Sequence, residues 1–163
     1  MKWKRMDRAD IPHVRSLADA VHKNYPEDEA IFAEKQRLYR EGCFSLILDD
    51  AVVGYIIAHP WRRGETPAIN RLLRELPQNP DTLYWHDIVL APDVRGRGAV
   101  QQGMALVIER AKAEGFSTLS GTAVSGTVKY WEKQGFRLVS DEAHDLPNYG
   151  EEARSMVYFL TAG

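Results

Sequence analysis

A single α/β domain built on one central sheet is the fold class this 163-residue chain predicts. Three observations carry that expectation. Stretches with helical apolar spacing alternate with short apolar runs of strand length through the second half of the chain. Two earlier apolar runs meet at a short acidic turn, the pattern of a hairpin. A chain of 163 residues can also withdraw about two thirds of its unfolded surface from water, enough for one core.

The elements follow in order. Asp10 before Ile11-Pro12 has the form of a helix cap with proline in the first turn. Val14, Leu17, Ala18 and Val21 then recur at helical spacing, so a first helix is predicted over about 11–22. A second helical pattern runs from about Glu29 through Tyr39 and stops at Gly42. Cys43 to Leu48 is an apolar run, and Asp49-Asp50 turns it into Val52 to Ala58. From Pro60 to Pro80 four prolines (Pro60, Pro67, Pro77, Pro80) surround one short helical stretch, Ile69 to Leu76. This segment is an excursion from the sheet, to be weighed as a lid or as a tolerated surface insertion. Thr82 to Leu90 is the next strand, and Val100, Met104, Val107, Ile108 and Ala111 mark the buried face of a helix that Gly115 ends. Leu119 to Val124 is a strand, Thr127 to Gln134 a short helix, and Phe136 to Val139 and Ser155 to Leu160 the last strands.

Composition excludes several function classes. With 44% hydrophobic and 27% charged residues the chain is ordinary for a globular protein, which argues against disorder. The 21 basic and 23 acidic residues are mixed along it, so no basic stripe points to nucleic acid. Cys43 is the only cysteine, which rules out an internal disulfide and a cysteine zinc cluster and favours a reducing compartment. It opens an apolar run and is expected in the core rather than as a nucleophile. No run approaches the roughly 18 apolar residues of a membrane span. A cytoplasmic location, no membrane partner and no metal are expected; the sequence sets no oligomeric state and is compatible with a homodimer.

The most informative stretch is Ile88-Val89-Leu90-Ala91-Pro92-Asp93-Val94-Arg95-Gly96-Arg97-Gly98-Ala99-Val100, where a strand passes through a glycine turn into a helix. The first N–H groups of a helix lack internal partners and the dipole there is positive, so this is an anion site. A P-loop would need lysine and then serine or threonine after the second glycine, and Ala99-Val100 stand there. A dinucleotide fingerprint would need a third glycine, and Gln101 stands there.

The run Arg95-Gly96-Arg97-Gly98-Ala99 after Val89-Leu90-Ala91-Pro92 resembles motif A of the GNAT superfamily of N-acetyltransferases, Q/R-x-x-G-x-G/A at a strand-to-helix turn. Tyr130-Trp131-Glu132-Lys133-Gln134-Gly135-Phe136 resembles its motif B, commonly Y-E-K-x-G-F, and the elements between and before the motifs follow the same order. Two positions depart: Val100 replaces a glycine or alanine, and Trp131 stands where many members carry the tyrosine that protonates the departing thiolate.

The resemblance implies a GNAT-like fold, a mixed sheet of about six to seven strands with about four helices, and acetyl-CoA as co-substrate. The pantetheine arm would run beside Ile88, Val89 and Leu90, the pyrophosphate would rest on Arg95, Gly96, Arg97, Gly98, Ala99 and Val100, and Trp131 would form a wall. His86 is the first candidate for the base that deprotonates an amine. It matches a catalytic histidine of arylalkylamine N-acetyltransferases, and strand alternation puts it on the face of Ile88. Asp87, on the opposite face, becomes the candidate if the strand bulges. Tyr130 is the stand-in acid, although its rotation of about 100° from Trp131 predicts a core-facing side chain. His59 is balanced between substrate contact and loop chemistry, Trp61, Tyr84 and Trp85 between an amine pocket and core, and His13, His22 and His144 are expected at the surface. The function expected is transfer of acetyl to a primary amine of a small molecule. The alternatives are a peptide or protein amine as acceptor, or a non-catalytic acyl-CoA-binding or sensing module.

Overall fold

The computed structural model describes residues 1–124, 126–139 and 152–161. In chain order the elements are β1 (Lys2–Arg5), α1 (Ile11–Val21), α2 (Glu29–Leu38), β2 (Cys43–Leu48), β3 (Ala51–Trp61), β4 (Thr82–Leu90), α3 (Ala99–Ala113), β5 (Thr118–Ala123), α4 (Val128–Lys133), β6 (Arg137–Leu138) and β7 (Arg154–Phe159). The strands form one seven-stranded sheet in the order β1-β2-β3-β4-β5-β7-β6. Every neighbouring pair is antiparallel except β4 and β5, which run parallel. The β2–β3 hairpin turns at Asp49 and Asp50, with φ of 50° and 63°. Left-handed backbone at both central positions gives the turn a twist that matches the strands, and aspartate tolerates it.

Apolar residues cover both faces of the sheet. On one face Met104, Val107 and Ala111 of α3 pack over Ile56, Ala58, Leu83, Trp85 and Leu119. The helix sits close there: a Cβ at Gly103 would stand 2.5 Å from the Cδ1 of Ile56. On the other face Ile11, Val14, Ala18 and Phe32 of α1 and α2 pack over Tyr55, Ile57 and Val89. Phe32 is 1% and Ile57 0% exposed, and each full burial of this kind contributes about 1.5–3 kcal/mol. Cys43 lies in this core, and burial pushes its thiol up to about 12, so it is unreactive as expected.

Three local expectations fail for identifiable reasons. β1 was not foreseen, because four residues with three basic side chains carry little strand signal; it is anchored by the Trp3 indole, which donates to the Ala99 carbonyl at 2.9 Å. Asp10 precedes α1 but does not cap it: its carboxylate accepts from the Asp7 amide at 2.9 Å, Lys4 Nζ at 2.7 Å and Ser45 Oγ at 3.0 Å. The segment 69–76 forms no helix. Asn70 and Arg74 have φ of 57° and 71°, and the Leu73 and Arg74 amides donate to the Glu34 carboxylate at 2.6 and 3.0 Å instead of to carbonyls a turn earlier. β3 runs on through Pro60 because β2 stops pairing with it at Ile57, so the missing amide faces an open edge. Among the described residues no helix is long and apolar enough to cross a membrane, and no cluster of side chains is suited to a metal. His144 lies outside the described residues.

Candidate active site

The parallel pairing of β4 with β5 begins at Leu83 and Leu119 and ends at Trp85 and Gly121, although β4 continues to Leu90 and β5 to Ala123. The two strands splay, and a cavity of about 180 Å³ opens between them. Ile88, Gly121 and Ala123 line it from the strands, Trp131 from α4, and Ile69 from the excursion. Past Trp85, the β4 backbone on the β5 side is left available to an extended ligand.

A register shift places two polar residues at this opening. Ile57 pairs with Asp87 and Ala58 with Trp85, so consecutive residues of β3 face residues two apart on β4, and His86 is the extra residue of a bulge. Strict alternation would have put His86 with Ile88 and against Asp87. Instead the bulge brings His86 and Asp87 to the α1–α2 face, while Trp85 and Ile88 pack toward α3. The expected shared face of His86 and Ile88 is therefore corrected, and both candidates, His86 and Asp87, line the cavity.

Each is held by a partner that sequence reasoning did not supply. His86 Nε2 donates to Glu27 Oε1 at 3.2 Å, and the two side chains are 3% and 7% exposed. Burial alone would raise the Glu27 carboxyl, but the hydrogen bond and charge of His86, the charge of Lys35 and the Asn70 amide bring it down to about 2. Both oxygens of Asp87 are engaged: His22 Nε2 donates to Oδ1 at 2.8 Å and the Tyr55 hydroxyl to Oδ2 at 2.5 Å. The Asp87 hydrogen bond raises the His22 pKa above its usual value against the effect of burial, and the position of His22 at the C-terminus of α1 also favours its cation. His22 is thus no lone surface histidine; it lines the cavity, as do Tyr25 and Glu27. Nothing in the spacing of residues 22–27 announces this, because the contacts span some sixty residues of sequence.

His59 neither lines the cavity nor sits in a loop. It is fully buried in β3, donates from Nδ1 to the Pro60 carbonyl at 3.0 Å, and lies 6.1 Å from the His86 ring. Burial, with the nearby His86, pushes it down to about 3, so it stays neutral. Trp85 serves both as core and as cavity wall, while Tyr84 donates or accepts at Thr122 Oγ1, 2.7 Å away, outside the cavity. His13 is exposed, as expected.

The glycine turn has the shape of an anion cradle. Gly96 and Gly98 have φ of 76° and 81°, Gly98 stands at the start of α3, and no side chain caps that helix. A Cβ at either glycine would meet nothing within 4 Å, so the first amides of α3 face open space a phosphate can occupy. Arg95 and Arg97 are exposed beside it, their guanidinium groups donating to the Leu90 and Asp93 carbonyls at 3.2 and 3.1 Å. Ala99 is buried, and Val100 turns its side chain into the core, so the branched residue does not obstruct the cradle. The Trp131 ring lies 6.1 Å from Trp85 and forms a wall. Tyr130 does not face the core as expected: it is 42% exposed, its ring stands edge-on to Trp131, and it is not among the residues lining the cavity. A turn for a pyrophosphate and a splayed strand for an extended arm together fit coenzyme A, with Val89 and Leu90 leading from one to the other.

The comparisons agree with this geometry. No curated protein matches by sequence. Among solved structures, Ard1 from Thermoplasma volcanium superposes with a TM-score of 0.77 at 12% identity, covering 99% of this chain and 98% of that one. The ribosomal-protein-S18-alanine N-acetyltransferase from Escherichia coli gives 0.66 at 17% identity, with 99% and 95% covered. N-acetylglutamate synthase from Neisseria gonorrhoeae, in complex with coenzyme A and N-acetyl-glutamate, gives 0.72 at 16% identity, with 99% of this chain but 35% of that one covered. At these identities the likeness is one of fold. The model of the acetyltransferase (GNAT) family matches residues 11–136, most of the chain and the whole of the site just described, and the protein therefore belongs to that family of acetyl-CoA-dependent acyltransferases.

Proposed function

We propose that this enzyme transfers the acetyl group of acetyl-CoA to the primary amine of a small molecule, with His86 as general base. The observation that carries this reading is the bulge, which puts His86 and Asp87 on one face at the mouth of the splayed strands. An ammonium cannot attack a thioester until it loses a proton, and an imidazole positioned there accepts it directly or through one water. The carboxylates of Glu27 and Asp87 favour a cationic head approaching the cavity, while Tyr25, Ile69, Trp85 and Phe136 favour an apolar body. Ile69 narrows the cavity mouth by lining it from the excursion, which supports a small acceptor over an extended peptide.

The acetyl-CoA co-substrate would rest its pyrophosphate on the amides of residues 96–100, with Arg95 and Arg97 alongside, and its arm along Ile88 to Leu90. Binding there directs the thioester toward His86, and Trp131 and Trp85 exclude water from that end. The test is release of free thiol from acetyl-CoA across a panel of small amines and short peptides. His86→Ala should lower turnover by about a hundredfold or more with affinity for coenzyme A kept. Unchanged turnover in His86→Ala would remove His86 as the base. Preference for peptides would overturn the small acceptor, and tight coenzyme A binding without thiol release from any amine would favour a sensing module.

A further inference from the structure

We infer that Glu27 is a positioning residue that fixes which nitrogen of His86 is the base, and that the 62–81 excursion holds Glu27 in place. This rests on the reading of His86 as base given above. Ionised Glu27 only accepts hydrogen bonds, so the contact between its Oε1 and His86 Nε2 at 3.2 Å requires the hydrogen to be on Nε2. In the neutral ring Nδ1 then carries the lone pair. Nδ1 is buried beside the cavity that His86 lines and, among the described residues, has no hydrogen-bond partner, so no protein group competes for its lone pair. The other oxygen of Glu27 accepts from the Asn70 amide at 2.9 Å, and the Asn70 side chain accepts from the Asp28 amide at 2.7 Å. Asn70 adopts a φ of 57°, which asparagine tolerates better than most residues. One carboxylate therefore joins the base on β4 to the excursion, and Glu34 on α2 clasps the same excursion through the Leu73 and Arg74 amides.

In turnover the proton leaves the acceptor nitrogen for His86 Nδ1 while Nε2 keeps its hydrogen on Glu27. The amine nitrogen bonds to the acetyl carbon, the carbon–sulfur bond breaks with its electron pair going to sulfur, and the second proton of the acceptor nitrogen passes to the departing thiolate, which leaves an amide and the free thiol of coenzyme A, while His86 returns its proton to solvent. Glu27 stabilises the imidazolium formed in that step, so its effect belongs in kcat and not in the affinity for acetyl-CoA.

The test combines nitrogen-15 NMR of the histidine rings with kinetics on the intact enzyme. In the wild type the neutral ring of His86 should show hydrogen on Nε2 and a bare Nδ1. In Glu27→Gln, whose amide can present a donor to Nε2, that preference should be lost. The kcat of Glu27→Gln should fall by about a hundredfold at unchanged KM for acetyl-CoA. Asn70→Ala should lower kcat in the same direction by a smaller factor. Hydrogen on Nδ1 in the wild type, or a full kcat in Glu27→Gln, would overturn the role of Glu27; a full kcat in Asn70→Ala, which loses the side-chain bond to the Asp28 amide, would overturn the part of Asn70 in holding it. The tautomer is read without turnover, so its failure is distinguishable from failure of His86 as the base, which the His86→Ala rate decides.

Discussion

Replacing Gly98 by aspartate puts a carboxylate into the anion cradle, and the structure sets the size of the effect. Gly98 has a φ of 81° and a ψ of 8° and stands immediately before the first residue of α3. A Cβ there meets nothing within 4 Å, so the substitution causes no clash. The left-handed backbone costs a non-glycine residue about 1–2 kcal/mol, and aspartate falls at the low end because its short side chain tolerates that region. The fold should survive with a modest loss in thermal midpoint. Coenzyme A should not be retained. Two unit charges 4 Å apart in a partly exposed site repel by about 4 kcal/mol, which is roughly a thousandfold in affinity even before the second phosphate is considered. Isothermal titration with coenzyme A, alongside a thermal melt of the free protein, separates the two effects. An affinity within a few-fold of the wild type in a folded Gly98→Asp protein would refute the placement of the pyrophosphate.

Trp131→Phe should retain much of the activity, because an indole N–H does not protonate a thiolate at neutral pH and the aromatic wall is preserved; steady-state turnover checks this. Tyr130→Phe should cost less than about tenfold in turnover, the lower limit of a lost general acid being about a hundredfold; collapse of turnover with coenzyme A binding intact would show that this hydroxyl does reach the site. The His22–Asp87 pair should make stability pH-dependent. Asp87 raises the His22 pKa above its usual 6.5, so the pair contributes fully below that value and its contribution is lost as pH rises through the raised one. Denaturant midpoints of wild type and His22→Gln should therefore differ more at about pH 5.5 than at about pH 9, and an equal difference at both would refute the pairing.

Sequence periodicity and turn chemistry locate most elements, because α3, β4 and the Asp49-Asp50 hairpin each follow one local rule. The glycine turn is legible for the same reason: an anion cradle is made by one short stretch of chain, and Gly96, Gly98 and the start of α3 at Ala99 lie within four residues. The polar contacts of the cavity are not. Glu27 reaches His86 across 59 residues and His22 reaches Asp87 across 65, and no spacing rule reports contacts of that range. The excursion misled for a related reason. Ile69 to Leu76 has helical composition, but Glu34, on a different element, takes the Leu73 and Arg74 amides, and a tertiary partner overrides local preference.

The bulge at His86 couples the packing of the sheet to the polar groups of the cavity. A regular β4 would present Trp85 and Asp87 on one face and His86 on the other, so that one of the two polar residues would be buried against α3, among Met104, Val107 and Ala111, without a partner. Inserting one residue lets Trp85 fill that apolar core while His86 and Asp87 both turn toward α1 and α2, where Glu27, His22 and Tyr55 satisfy them. The register shift falls where the pairing with β5 ends, so the irregular backbone lies at the edge of the cavity. The irregularity that defeats strand alternation as a guide to His86 is thus also what turns His86 and Asp87 together toward the cavity, beside Glu27.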